Sequence, residues 1–153
     1  MNANVEQLEA ELKQTIDGYL GNHPDAISFL LAYCRYCHSI DDIIDNKITN
    51  PELVLESFDL ASQIFNCNFW RQYAAQLFLV ERLINNDYAD SVKWEKSQNT
   101  WELHQADVLR NAANHMTFAV ILLLCGRQAL REVSAKIRTH SHLKHHDSEG
   151  KPC

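Results

Sequence analysis

Tyr33-Cys34-Arg35-Tyr36-Cys37-His38-Ser39-Ile40-Asp41-Asp42-Ile43-Ile44-Asp45-Asn46 is the stretch on which the reading of the fold turns. Upstream of its acidic end, Ile27, Leu30, Cys34 and Cys37 recur at spacings of three and four, the period of an inward helical stripe. The same period then lands on Asp41 and Asp45, one turn apart, with Asp42 beside them. Carboxylates in such positions repel one another and resist desolvation, so an inward cluster calls for a cation. Oxygen-only donors favour Mg²⁺, Mn²⁺ or Ca²⁺ over a metal that prefers thiolates. The stretch therefore predicts a core helix with a hard-metal site at its C-terminal end.

The rest of the composition agrees with a helical fold. At 153 residues, with 46% hydrophobic and 22% charged residues, the chain is long enough to bury a core and too apolar for disorder. Only 4 glycines and 3 prolines interrupt it, which favours long helices over a turn-rich β fold. A net charge of −6 argues against nucleic acid as a default partner. The N-terminal residues lack the basic and apolar regions of a signal peptide. Met116 to Cys125 is the one strongly apolar run, and it is too short for a membrane span. Five cysteines in such a chain read as reduced thiols, and the expected location is the cytoplasm. One helical domain is expected over residues 1–140, followed by a His-rich polar tail over 141–153.

Five to six helices follow from the pattern. The first is predicted from Val5 to Tyr19, capped by Asn4 and stopped by Gly18 and Gly21. The second runs from Pro24 to about Asn46. Asn50-Pro51-Glu52 opens a third with cap, first-turn proline and first-turn acid. Asn68 is the expected cap of a fourth, reaching Glu95, whose stripe Tyr73, Leu77, Val80 and Ile84 continues into Asp87, Ser91 and Glu95. Asn99-Thr100-Trp101-Glu102 reads as a capping box for a fifth. There His104, Asp107, Asn111 and Asn114 give way to Phe118, Ile121 and Cys125. Gly126 then breaks or kinks the chain before a final helix to about His140.

In an up-down bundle with short loops, the second and fourth helices run parallel and the fifth runs back. Their ionic ends would then share one end of the bundle. Asp41, Asp42, Asp45, Asp87, Ser91 and Glu95 become the candidate metal ligands, with His104, Asp107 and Asn111 nearby. Cys34, Cys37, His38, Leu77, Ile84, Asn111 and Phe118 become candidate substrate contacts around an apolar interior.

Cys37-His38-Ser39-Ile40-Asp41-Asp42-Ile43-Ile44-Asp45 resembles the first aspartate-rich motif of squalene and phytoene synthases and, more broadly, the DDxxD motif of class I isoprenoid synthases. Asp87, Ser91 and Glu95 are similar to the second metal motif of terpene cyclases. The resemblance implies a reduced form of that all-α fold, or one completed by a second copy in a homodimer. It implies Mg²⁺ (or Mn²⁺) on the aspartates and a prenyl diphosphate as the small-molecule substrate. Arg35, Arg82 and Arg110 are the candidates to bind the diphosphate oxygens, and the ion would neutralise the leaving group.

Other strings in the chain carry competing readings. Cys34-Arg-Tyr-Cys37-His38 matches a c-type haem attachment string, but it lies mid-helix in a chain read as unexported. Zinc would need more soft ligands than the scattered Cys67, Cys125 and Cys153 offer. Arg110-Asn111-Ala-Ala-Asn114-His115 resembles the signature of HEPN ribonucleases, although His115 shares a face with Val108, Ala112 and Ala119 and so reads as a packed histidine. Residues 102–108 are loosely similar to an acidic segment of all-α nucleoside triphosphate pyrophosphatases. A non-catalytic helical interaction module is the remaining alternative. The stretch from Arg127 to His146 is basic and His-rich and reads as a polar terminus.

Overall fold

Punctuation by proline, glycine and asparagine sets most of the helix ends. The structure, a computed structural model, describes residues 3–45 and 51–147, with side chains over 6–45 and 51–138. Six α-helices follow in order: α1 (Ala3–Leu20), α2 (Pro24–Ile44), α3 (Pro51–Asn66), α4 (Asn68–Trp94), α5 (Thr100–Arg110) and α6 (Asn114–Asp147). A 3-10 turn, Asn111–Ala113, separates the last two, and no strand occurs among the described residues. The all-α class is as expected. Pro24 and Pro51 each open a helix at its first position, where the missing N–H is no loss.

Several boundaries differ from the sequence reading, for identifiable reasons. Asn4 lies inside α1, and Gly18 is tolerated within it, so the stop falls at Gly21. α2 ends at Ile44 with Asp45 as its C-cap, and Asn46 and Asn50 lie outside the described residues. Cys67, not Asn68, takes the cap position of α4: its Sγ accepts from the Trp70 N–H at 3.3 Å, and its carbonyl accepts from Arg71 N at 3.1 Å. The predicted fifth helix is cut at Asn111–Ala113, so α5 and α6 are separate.

The cap of α5 is a relay. The Asn99 side chain accepts from Trp101 N at 2.9 Å, and the Asn99 N–H donates to Ser97 Oγ at 3.0 Å. Ser97 Oγ in turn donates to the Glu102 carboxylate. The acid thus reaches Asn99 through a hydroxyl, where a simple capping box would bond it directly. Asn99→Ala is expected to lower stability by about 1 kcal/mol. Unchanged urea unfolding would mean that Ser97 and Glu102 hold this end without Asn99.

The chain divides into two compact units, Met1–Ala75 and Gln76–Cys153, with the division falling inside α4. In the first, α1 and α3 both pack on α2. Its core is Ile16 and Leu20 of α1, Ala26, Phe29, Leu30 and Tyr33 of α2, Ile64 of α3, and Phe69 and Trp70 of α4. Aromatic rings choose the face that α2 buries. Phe29 lies 5.1 Å from Phe69 and 6.1 Å from Trp70, and Phe65 meets Trp70 edge-on at 4.9 Å. Of the expected inward stripe only Leu30 is fully buried, while Ile27, Cys34 and Cys37 are half-buried. The buried face runs through the aromatics instead, because Phe and Tyr bury more area than a thiol.

In the second unit, α4 contributes Leu77, Ile84 and Ser91 to the interior, and α6 contributes Met116, Phe118, Val120, Ile121, Val133 and Ile137. Gly126 interrupts α6 with φ 82° and ψ −179°, a conformation essentially reserved for glycine. The Arg138 guanidinium carbon lies 5.1 Å from the centre of the Phe118 ring. In one straight helix residues twenty apart would be about 30 Å apart. Gly126 therefore turns α6 back on itself.

The stretch Thr100–Arg138 is long and apolar enough, by length and composition alone, to cross a membrane. The 3-10 turn and Gly126 cut it into pieces. The piece between them, 114–125, would span about 18 Å, against about 30 Å of bilayer hydrocarbon.

Candidate functional site

The acidic end of α2 belongs to the first unit. Asp41 and Asp42 are half-buried in its last turn, and Asp45 is exposed at the cap, its N–H donating to the Asp41 carbonyl at 3.0 Å. The three carboxylates therefore flank the buried face and do not continue it. No basic side chain sits in the last turn of α2. The carbonyl end of a helix carries about half an elementary negative charge, so the site gathers negative potential from both side chains and backbone.

His38 lies one turn before Asp41 and Asp42. Its Nδ1 is 2.8 Å from the Cys34 carbonyl oxygen, which can only accept, so Nδ1 carries the proton. The Cys34 Sγ, 3.7 Å from the same nitrogen, cannot then donate to it. With Nδ1–H held in this way, Nε2 is the nitrogen left to face a ligand.

Arg35, a candidate diphosphate ligand, is engaged elsewhere. Its Nε and Nη2 donate to the two oxygens of Glu9 on α1, the latter at 2.6 Å. The hydrogen bond to Glu9, reinforced by its charge, holds the Arg35 guanidinium above its ordinary value. This arginine ties α1 to α2.

The other expected ligands lie in the second unit. Asp87 is half-buried on α4 and Glu95 is exposed just after it. Ser91 is fully buried, and its hydroxyl donates to the Tyr88 carbonyl at 2.7 Å. Arg110 at the end of α5 donates to the Glu95 carboxylate and stands 5.7 Å over the Tyr88 ring. An expected metal ligand and an expected anion ligand thus satisfy each other.

Arg82 is exposed on α4. Leu77, Ile84 and Phe118, expected around a substrate, are core side chains. Asn111 donates to the Asp107 carbonyl at 3.1 Å, while His104 and Asp107 are exposed. His115 is also exposed, with its ring 5.9 Å from Phe118, and is not the packed histidine that its helical face suggested.

Among the described residues, no three His, Cys, Asp or Glu side chains form a group that could hold a metal ion by themselves. Cys34, Cys37, Cys67 and Cys125 form no disulfide, and burial pushes the Cys125 thiol up. A cavity of about 420 Å³ opens beside the N-terminal half of α2, lined by Asp25, Phe29, Ala32, Ile64, Asn68 and Phe69. Its nearest α2 residue, Ala32, is roughly two and a half turns from Asp41, so cavity and carboxylates are separate features. Sequence reasoning missed it because α3 and α4 supply half its wall.

No protein-family model, curated protein or solved structure matches the chain.

Proposed function

We propose that the acidic end of α2, Asp41, Asp42 and Asp45, supplies one or two carboxylates to a hard divalent cation, Mg²⁺ or Mn²⁺, that takes the diphosphate of a small-molecule substrate, a prenyl diphosphate. One observation carries the reading: three carboxylates lie within the last turn and cap of α2, at the negative end of the helix. Mg²⁺ commonly uses one or two carboxylates, keeps several waters and completes its shell with phosphate oxygens. The all-oxygen donors at the end of α2 fit that mode, which does not need three protein ligands. When bound, the ion supplies charge neutralisation to a leaving diphosphate. The chain's own part is to orient that ion through the last turn of α2. His38, with Nδ1–H fixed on the Cys34 carbonyl, offers Nε2 as a proton acceptor one turn away. The prenyl assignment rests on the likeness of residues 37–45 to the first aspartate-rich motif of squalene and phytoene synthases.

Melting temperatures with Mg²⁺, with and without pyrophosphate, test the site. A ligand at a hundred times its dissociation constant adds about 2.7 kcal/mol, a rise of several degrees here. That rise is expected to need both ions and to vanish in Asp41→Asn. A folded wild type that ignores Mg²⁺ with pyrophosphate sinks the site. One that binds both but turns over no prenyl diphosphate sinks the substrate assignment alone.

A further inference from the structure

Two thiols of α2 belong neither to the buried aromatic face nor to the carboxylates at its end. Cys34 and Cys37 are three residues apart, so they neighbour each other on one side of the helix. Both are half-buried and neither is in a disulfide. Side chains at this spacing hold their Cβ atoms roughly 5 to 6 Å apart. A disulfide needs roughly 3.5 to 4.5 Å, so closing one would pinch the turn of α2. An ion between the sulfurs demands no such movement. With each metal–sulfur bond about 2.3 Å long, a linear bridge spans about 4.6 Å from sulfur to sulfur and fits the intact helix.

The neighbouring groups suit a charged sulfur pair. His38 Nδ1–H, held on the Cys34 carbonyl at 2.8 Å, lies 3.7 Å from the Cys34 Sγ, which is placed as its second acceptor. Arg35 follows Cys34 in the chain. Its guanidinium is held above its ordinary value first by the hydrogen bond to Glu9 and, less strongly, by attraction to Cys34. Two thiolates around one monovalent ion carry a single net negative charge, and both neighbours offset it.

The number of ligands selects the ion. Structural zinc almost always takes four. Among the described residues, no third His, Cys, Asp or Glu side chain joins the pair in a group that could hold a metal. Of the ions that thiolates select, Cu(I) is the one satisfied by two sulfurs in a line. We propose that Cys34 and Cys37 bind one Cu(I) ion between them, as a bridged thiolate pair on the half-buried side of α2. The site draws on none of the aspartates at the end of the helix. Sulfur pairs and oxygen clusters select opposite classes of ion, so this reading and the one above can fail separately.

Anaerobic titration of the reduced full chain with Cu(I), in competition with bicinchoninate, tests it. One ion per chain is expected. Cys34→Ser and Cys37→Ser should each raise the dissociation constant by more than roughly 100-fold, beyond the usual cost of losing a group that only supports a ligand. Cys67→Ser, Cys125→Ser and Cys153→Ser, combined in one chain, should leave binding unchanged. Serine is close to cysteine in size, so every variant should keep wild-type helical circular dichroism. Copper X-ray absorption on the wild type should find two sulfur neighbours in a line, and it decides alone if a variant loses helix. A chain that yields all its Cu(I) to the chelator overturns the proposal. Binding that survives in Cys34→Ser or Cys37→Ser, or that needs the other three cysteines, overturns it as well, as do three sulfur neighbours. A Cys34–Cys37 disulfide formed in oxidised glutathione, by a chain that holds no Cu(I), would give the pair to redox chemistry and also overturns it.

Discussion

Arg35→Met is expected to destabilise the chain by about 2 to 3 kcal/mol, a fall of roughly 5 to 10 °C in melting temperature for a protein of this size. The cause is Glu9, whose side chain is only 10% exposed against 41% for Arg35. A two-pronged guanidinium–carboxylate pair is among the stronger polar contacts. Removing the arginine strands a carboxylate between α1 and α2, and a stranded buried charge costs more than the pair contributed. The partly exposed arginine keeps the expected loss below that of a fully buried pair. Because Arg35 is held above its ordinary value, its own ionisation keeps the contribution in full below that ordinary value and removes it only as pH rises through the raised one. Glu9→Leu combined with Arg35→Met should recover most of the loss, since neither charge then remains. Urea unfolding of the two variants checks both statements. A loss under 0.5 kcal/mol for Arg35→Met, roughly the size of an ordinary surface effect, would show that water screens the pair.

Gly126→Val is expected to cost about 3 kcal/mol, the upper end for forcing a side chain into a strained backbone region. A Cβ at Gly126 would meet no other atom within 4 Å. The penalty is therefore backbone strain alone, and handedness should decide its sign. D-alanine at 126, introduced by chemical synthesis, has the mirror-image preference and should stabilise by about 0.5 kcal/mol through loss of unfolded-state freedom. If the L-residue were accommodated by straightening α6, Arg138 would leave Phe118. Equal stability of L- and D-alanine variants would count against the bend in solution.

How far the sequence could be read depends on the range of the interaction. Helix starts at Pro24, Pro51 and Asn99, and the break at Gly126, are local chemistry and were legible. The cut at Asn111–Ala113 was not, since Asn-Ala-Ala-Asn contains nothing that forbids continuing the helix. The face that α2 buries was misread because periodicity says which residues align but not which alignment wins. Phe29 and Tyr33 prevail over Cys34 and Cys37 by area. At the candidate site, the acidic run was visible as a string. The partners of the arginines were not, since Glu9 lies 26 residues from Arg35 and Glu95 lies 15 from Arg110. Two ions of a predicted site can choose each other, as Glu95 and Arg110 do, and no spacing rule reveals it.

The tryptophans give the two units separate optical signatures. Trp70, 8% exposed among Phe29 and Phe65, lies in the first unit, so its emission should be blue-shifted and protected from iodide. Trp94 and Trp101, 5.7 Å apart in the second unit, include a ring that is 61% exposed and should emit to the red with ready quenching. One fluorescence spectrum, resolved by quencher, therefore reports on both halves of the chain at once. Loss of the blue component before the red would mark the first unit as the one that opens first.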